Sequence, residues 1–260
     1  MIVKNLIVSG DSFSYGGIGG CPPTLLSVGG CSYIPDVDCG CTEPNIWPGF
    51  LARQLSVQSL VNTATSAHGN ILISYTIFEI LKKYTYNIED TLIIFNLTDP
   101  NRLDTPCDFN NENADNLILW DEKLISHSYL TKPSTPIISD AVEKYTSESV
   151  RFLMEYLKLK GFKFYFLLMS DYTEHKYLGP IIKQFRDHII TLNPGPSMIE
   201  FAVHTKNTVS KKDLHPNING HRLIADQVYE YINNKYDSKS LKLLGQTMGM
   251  DDKAIKKELG

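Results

Sequence analysis

The start of the chain constrains the fold most strongly, because a short apolar run ends there in a glycine turn. The run comprises residues 2–3 and 6–8, and Gly10-Asp11-Ser12 follows almost directly. An apolar run bounded by glycine is typical of a buried strand that ends in a tight turn. In open α/β sheets, ligands bind at the carboxyl ends of the strands. The pattern therefore predicts that Ser12 lies where such sheets carry out chemistry.

Strand patterns alternate with helical patterns along the rest of the chain. This alternation favours a parallel sheet covered by helices on both faces, so the expected fold class is α/β with a central parallel sheet. Strands are predicted at residues 60–61, 91–95 and 162–169. Helices are predicted from Pro48, at about 71–83, from Ser139 or Asp140 to about Lys160, near 180–190, and from Asn219 or Gly220.

A second polar motif, Asp213-Leu214-His215-Pro216, lies near the other end of the chain. An early serine with a late Asp/His pair is the residue inventory of a serine hydrolase. Each piece alone also has an ordinary interpretation, because Gly-Asp-Ser favours turns and aspartate caps helices. The joint arrangement, with the serine after a first strand and the histidine before a last helix, favours the hydrolase.

These two motifs resemble those of the SGNH/GDSL hydrolase family. The resemblance rests on Gly10-Asp11-Ser12 and on Asp213-x-His215-Pro216 with Gly220-His221, and by element order it spans residues 1–235. It implies a single domain with a flavodoxin-like α/β/α sandwich. It also implies a serine activated by the late histidine, and ester substrates that include acetyl groups on sugars.

The resemblance and the residue chemistry together assign three catalytic roles. Ser12 is the expected nucleophile, His215 the base that takes its proton, and Asp213 the group that orients the base. The commonest family pattern places the aspartate three residues before the histidine, where this chain has Lys212. Two interpretations stay open: Asp213 reaches His215 across a turn, or a backbone carbonyl orients the ring and the enzyme has a dyad.

The negative charge that develops on the ester carbonyl needs hydrogen-bond donors, which the family supplies from three blocks. The Ser12 amide is one expected donor. The second block places a backbone donor at Ala67, with Gly69 two residues further on. The third block, Gly-x-Asn-Asp in the family, aligns with residues 96–99, so that Thr98 replaces the asparagine and Asn96 is a less direct substitute. A plain turn before Pro100 is the competing interpretation.

Further candidates for the substrate cleft lie close to these blocks. Arg102 follows the third block and would bring positive charge to the cleft, while Asp11 and Asn70 adjoin the first and second blocks. Among the other histidines, His221 is expected to pack or cap the last helix. His68 has no supporting context.

Two long insertions interrupt the expected domain, at about residues 16–45 and 101–137. The first contains four cysteines, for which three interpretations stay open: unlinked thiols, a structural zinc site and disulfides. The spacing lacks paired Cys-x-x-Cys knuckles, but the absence of a secretion signal places zinc slightly ahead of disulfides. The hydrolase mechanism itself requires no cofactor. The four residues are Cys21, Cys31, Cys39 and Cys41.

Composition excludes some partners. The net charge of the 260-residue chain is −4 and no basic patch stands out, so a nucleic-acid partner is not expected. No apolar run is long enough for a membrane span and no signal-peptide pattern opens the chain, so we expect no membrane partner and a cytoplasmic or virion-associated location. Residues 236–260 are a separate tail that either docks on its own domain or holds a partner subunit, for example in a homo-oligomer.

The expected function is cleavage of a small-molecule or glycan ester through an acyl-enzyme, with carbohydrate O-acetyl groups as the class that the resemblance suggests. The alternative is a weakly active or inactive protein of the same fold. Two imperfect blocks, two insertions and an apolar tail are compatible with a glycan-binding or structural role, for example in a phage virion.

Overall fold

The computed structural model describes residues 2–15, 32–33, 45–64, 68–102, 136–211 and 213–247. Within these ranges five strands form one sheet in the order β2-β3-β1-β4-β5, and all except β2 run parallel. This arrangement confirms the central parallel sheet. The strands are β1 (Asn5–Ser9), β2 (Ser32–Tyr33), β3 (Ser59–Asn62), β4 (Thr91–Leu97) and β5 (Lys163–Leu168).

The parallel strands follow the flavodoxin-like order. Taken in chain order they lie as 2-1-3-4, and Ile189 then makes a single parallel bridge to Phe166 in β5 at the fifth position. The direction of travel across the sheet reverses at β1. The carboxyl end of β1 is therefore the topological switch point, where ligands bind in such sheets.

Helices cover the sheet in two packed pairs. Helix α2 (Trp47–Leu55) packs against α7 (Ile218–Thr247), and α3 (Asn70–Lys83) packs against α4 (Pro136–Lys160). Parallel crossovers are right-handed in nearly all proteins, and with this strand order that handedness places the two pairs on opposite faces of the sheet. The parallel sheet with flanking helices confirms the predicted fold class. The described helices are α1 (Ser12–Tyr15), α2 (Trp47–Leu55), α3 (Asn70–Lys83), α4 (Pro136–Lys160), α5 (Leu178–Gln184), α6 (Met198–His204) and α7 (Ile218–Thr247).

The core lies between each helix pair and the sheet. Leu51 of α2 and Val228 of α7 are fully buried on one side, and Ile77 of α3 and Leu153 of α4 are fully buried on the other. Strand β4 is buried along its whole length, as expected for the middle of a sheet covered on both faces.

Strand β4 is longer than predicted. The pattern ends at Phe95, but Asn96 and Leu97 continue the strand and pair with β5. Asn96 is fully buried, yet its polar side chain is hydrogen-bonded by the turn after β1. The expected turn at residues 96–99 therefore begins only at Thr98.

Helix α4 also differs from its prediction, because it begins at Pro136 and contains both predicted cap residues, Ser139 and Asp140. Proline suits the first turn of a helix. The Asp140 carboxylate instead accepts hydrogen bonds from Lys176 (2.5 Å) and Tyr177 (2.8 Å). These contacts tie α4 to the segment before α5.

The segment predicted as one helix near residues 180–190 is divided. Helix α5 ends at Gln184, a short 3₁₀ turn covers Arg186–His188, and the chain then reaches the edge of β5. Helix α6 was not predicted. Its start nevertheless carries a local signal, because the Ser197 hydroxyl caps the Glu200 amide and donates to the Glu200 carboxylate.

The last helix begins at Ile218, slightly before the predicted start, and continues to Thr247. It therefore crosses residue 235, where the sequence places the start of a separate tail. The docking or partner role of residues 236–260 stays a prediction.

Several predicted residues lie outside the described ranges. They are Ala67, the four clustered cysteines Cys21, Cys31, Cys39 and Cys41, and most of both insertions. The first insertion contributes β2 to the described sheet, although its sequence shows no clear periodicity. In the described residues no group of three or more His, Cys, Asp or Glu side chains is placed to hold a metal. No helix of this part of the chain is long and apolar enough to cross a membrane.

Candidate active site

Three side chains form a hydrogen-bonded chain at the carboxyl end of β1. The Ser12 hydroxyl oxygen lies 2.7 Å from His215 Nε2, although 203 residues separate the two in sequence. His215 Nδ1 lies 2.6 Å from Asp213 Oδ1. When Nδ1 carries the ring proton, Nε2 is free to accept the serine proton. The structure thus brings together the three residues assigned to catalysis from the sequence.

Asp213 and His215 lie on one arm of a short β-hairpin before α7. The Val209 amide donates to the His215 carbonyl (2.8 Å), and Thr208 bridges Pro216 in antiparallel register. The Asn217 side chain then accepts the Gly220 amide (3.0 Å) and so caps α7. The hairpin and the cap fix the position of the histidine relative to the last helix.

The Asp-x-His spacing lets one carboxylate oxygen make two contacts. Asp213 Oδ1 accepts the His215 backbone amide at 3.1 Å as well as the ring nitrogen. The first contact closes a local aspartate turn. These two hydrogen bonds lower the pKa of Asp213, so that it stays ionised under mildly acidic conditions. The predicted reach of Asp213 across a turn is therefore seen, and a backbone carbonyl is not needed to orient the ring.

The turn that carries Ser12 is held by a buried polar network. Asp11 Oδ1 accepts the Phe13 amide and the Asn96 side-chain amide, both at 3.0 Å. Asn96 Oδ1 in turn accepts the Ser14 hydroxyl at 2.6 Å and the Asp11 amide at 3.3 Å. Trp47 of α2 donates to the same Ser14 hydroxyl at 3.2 Å. Both ends of the turn are thereby fixed to β4 and α2.

A buried ion pair completes this network. Arg102 Nη1 lies 3.1 Å from Asp11 Oδ2, and the Asp11 side chain is fully buried while that of Arg102 is 16% exposed. An unpaired carboxylate at this depth would be strongly unfavourable, so Arg102 compensates the charge of Asp11. Asp11 therefore supports the nucleophile turn from inside the protein, and Arg102 is the cleft candidate that reaches the surface.

Gly10 is required by the closeness of Asn96. A Cβ atom at position 10 would lie 1.8 Å from Asn96 Oδ1 and 2.9 Å from the Ser14 hydroxyl. We expect Gly10→Ala to lower the free energy of unfolding by about 3 kcal/mol, since an overpacked core must shift its backbone or side chains. Urea unfolding of the wild type and the variant measures this loss.

A double-variant cycle tests the cause of that loss. In Gly10→Ala/Asn96→Ala the clashing oxygen is absent, so the combined loss should be smaller than the sum of the two single losses. Additive losses would contradict the proposed clash.

The side chains of Thr98, a predicted oxyanion donor, and of Asn70, a predicted cleft residue, make their contacts inside the protein. Thr98 is fully buried, and its hydroxyl lies 3.6 Å from Met169 Sδ. Asn70 is also fully buried, and its side chain bonds both the amide and the carbonyl of Thr98 at 3.0 Å. Gly69 is the residue that precedes α3 and has an extended backbone. Asn70 and Thr98 therefore join α3 to the end of β4, and neither side chain is exposed to substrate.

Two buried histidines lie around the site without taking part in the chain of three. Burial lowers the pKa of His68 to about 3, despite an opposing hydrogen bond with the Gly10 backbone. Burial, followed by the nearby charge of His215, lowers the pKa of His221 to about 4. Both side chains are uncharged near neutral pH. The predicted packing role of His221 agrees with its exposure of 5%.

Several residues that support the Ser12 turn or His215 are not predicted from the sequence. Phe13, Ser14 and Trp47 all contact the nucleophile turn or its histidine. Phe13 and Ser14 directly follow Gly10-Asp11-Ser12, and this position is the only feature of the sequence that indicates their role. Trp47 is 33 residues from Ser14, and no local pattern links the two.

Known proteins resemble this chain in fold but not in sequence. No family model matches the chain, and no curated protein matches it in sequence. Solved structures do match in fold. A lipolytic protein of the G-D-S-L family from Desulfitobacterium hafniense is 11% identical, with a TM-score of 0.46 over 87% of this chain and 98% of that one.

Two other matched structures have similar values. The psychrotrophic esterase EstA from Pseudoalteromonas sp. is 14% identical, with a TM-score of 0.48 over 90% of this chain and 99% of that one. Phospholipase A1 from Streptomyces albidoflavus is 14% identical, with a TM-score of 0.44 over 87% of this chain and 98% of that one. The chain is thus similar in structure to lipolytic proteins and esterases at low sequence identity.

Proposed function

We propose that this protein is a serine hydrolase that cleaves esters through an acyl-enzyme. The observation that carries the proposal is the hydrogen-bonded chain from Ser12 through His215 to Asp213 at the switch point of the sheet. A serine hydroxyl is a weak nucleophile until a neighbouring base accepts its proton. A separation of 2.7 Å between Ser12 Oγ and His215 Nε2 suits that transfer.

Each residue then has one role in the reaction. Ser12 Oγ attacks the ester carbonyl while its proton passes to His215 Nε2, and the same proton is returned to the leaving alcohol. In the second half water attacks the acyl carbonyl while its proton passes to His215 Nε2. The bond to Ser12 Oγ then breaks, the proton is returned to that oxygen, and the carboxylic acid is released. Asp213 keeps the proton on Nδ1 and balances the positive charge that the ring acquires.

Donors for the developing oxyanion come from the backbone in this account. Ser12 is the first residue of α1, and an amide at that position has no acceptor within its own helix. The predicted second donor, the Ala67 amide, lies outside the described residues. Arg102 adds positive charge beside the turn, and its bond to Asp11 limits how far it can reach.

The proposed substrates are small-molecule or glycan esters, with O-acetyl groups on carbohydrate as the preferred class. This choice comes from the family resemblance of the two motifs, since the residues themselves specify only acyl transfer. The mechanism draws its nucleophile, base and orienting acid from the chain and requires no cofactor.

A second candidate is a weakly active or inactive protein of the same fold that binds glycans or serves as a structural component. The observation in its favour is that Thr98 and Asn96 make their side-chain contacts within the protein, so neither supplies the donor expected from the third family block. A homo-oligomer formed through residues 236–260 would also favour this candidate.

The two candidates differ in turnover. We expect the wild type to release p-nitrophenol from p-nitrophenyl acetate and to release acetate from an acetylated oligosaccharide. In His215→Ala both rates should fall at least about 10³-fold, because the base is gone. His204→Ala removes an exposed histidine and serves as the matched control. Equal rates in all three proteins would reject the hydrolase, and glycan binding without turnover would favour the second candidate.

A further inference from the structure

Asp213 alone does not hold the His215 ring in place against Ser12. Asp213 and His215 lie two residues apart on the same hairpin arm, and their side chains are about one-third exposed, at 31% and 33%. Asp213 therefore fixes the ring relative to the hairpin but not relative to the sheet that carries Ser12. Solvent screening also weakens an exposed ion pair. A contact from the core side is needed to hold the ring against the nucleophile.

Phe13 makes such a contact. Its ring stacks on the His215 ring with centroids 4.7 Å apart and planes 25° from parallel. Phe13 is 4% exposed and belongs to the main hydrophobic core. It follows Ser12 directly in α1, and its amide is bonded to Asp11. The ring is thus fixed to the same buried turn as the nucleophile.

We propose that Phe13 is a positioning residue that holds the His215 imidazole in line with the Ser12 hydroxyl. This inference rests on the proposed serine hydrolase function. Asp213 sets the ring from the hairpin and Phe13 sets it from the core, so the ring is held from both sides. The stacked face also remains favourable when the ring becomes positively charged during proton transfer, because an aromatic face attracts a cation.

The chain contains a matched control for this contact. Phe164 stacks on His188 with centroids 4.1 Å apart and planes 6° from parallel, and it is 1% exposed. Phe164 lies on β5 and His188 on the 3₁₀ turn after α5, and neither residue belongs to the chain of three. Phe164→Leu therefore removes an equally buried ring from a histidine with no proposed role in the reaction.

The test compares Phe13→Leu, Phe13→Tyr and Phe164→Leu in p-nitrophenyl acetate hydrolysis. We expect kcat of Phe13→Leu to fall about tenfold or more with KM within about twofold, since misplacement of a catalytic group acts on the chemical step. Phe13→Tyr keeps the ring face and should retain most of kcat. Two results would overturn the proposal. In the first, kcat of Phe13→Leu falls no further than kcat of Phe164→Leu. In the second, kcat falls as far in Phe13→Tyr as in Phe13→Leu.

A second readout separates this proposal from the function on which it rests. A stacked ring shifts the His215 ring protons upfield in the NMR spectrum, and Phe13→Leu should remove that shift. If the wild type hydrolyses no ester, the proposed function fails, whereas unchanged His215 proton shifts in Phe13→Leu would reject the stack itself. Should Phe13→Leu fail to fold, Phe13→Met replaces it, because methionine fills irregular apolar space.

Discussion

Ser12→Ala is expected to reduce ester hydrolysis on the order of 10⁴-fold or more. The substitution removes the atom that forms the acyl-enzyme, so what remains is binding and oxyanion stabilisation acting on a water molecule. The fold should be unaffected, because the hydroxyl contacts His215 at the surface of the site rather than the network that holds the turn. Steady-state rates with p-nitrophenyl acetate measure the loss.

The control for this variant is Ser149→Ala. Ser149 lies on α4, and its hydroxyl bonds the Thr146 carbonyl at 2.7 Å, remote from the three-residue chain. Its rate should equal that of the wild type, and all three proteins should melt at similar temperatures. A Ser12→Ala protein that keeps more than about a tenth of the rate would mean that another group attacks the ester.

Acidification from pH 7 to pH 5 is expected to lower the free energy of unfolding by about 4 kcal/mol. His68 and His221 have pKa values lowered to about 3 and about 4 in the folded protein, against 6.5 in the unfolded chain. Between these values the unfolded chain binds protons that the folded protein does not bind, so lower pH favours unfolding. Each histidine contributes about 1.4 kcal/mol for each pH unit below 6.5.

The interval from pH 7 to pH 5 separates the effect of these two histidines from that of the carboxyl groups with lowered pKa values. The carboxyl groups with lowered pKa values, such as Asp140, Asp171 and Asp213, lose their stabilising charge only below the ordinary aspartate value of 3.8. Urea unfolding at pH 7 and pH 5 measures the change. His221→Gln should reduce it by about 2 kcal/mol, because one of the two buried histidines is then absent. The same pH dependence in His221→Gln as in the wild type would contradict the assignment.

The sequence was sufficient for those parts of the site that follow from strand ends and local spacing. The apolar run before Gly10 placed Ser12 at the end of β1, and the alternation of elements placed β4 and β5 in one parallel sheet. The Asp213-x-His215 spacing was sufficient as well, because both contacts of the carboxylate arise within three residues of chain. Local geometry of this kind depends little on the rest of the fold.

Contacts between distant segments were not predictable. The sequence favours a turn at Asn96, because a polar residue breaks an apolar strand pattern. It lies inside β4 only because the turn 85 residues earlier satisfies its amide. The same limit applies to Thr98, whose burial against Asn70 and Met169 cannot be read from the motif. Helix α6 is not predicted, although Ser197 and Glu200 have capping-box spacing in the sequence, because only seven residues follow the cap.

Covalent labelling with a fluorophosphonate tests whether Ser12 is an activated nucleophile, because the reagent reports the activated serine without any choice of substrate. We expect one adduct per chain, located on Ser12 by peptide mass spectrometry. The wild type and His204→Ala should form it, and His215→Ala should form it at least about 10³-fold more slowly. No adduct on Ser12, or labelling at the same rate in His215→Ala, would contradict a serine hydrolase built from these residues.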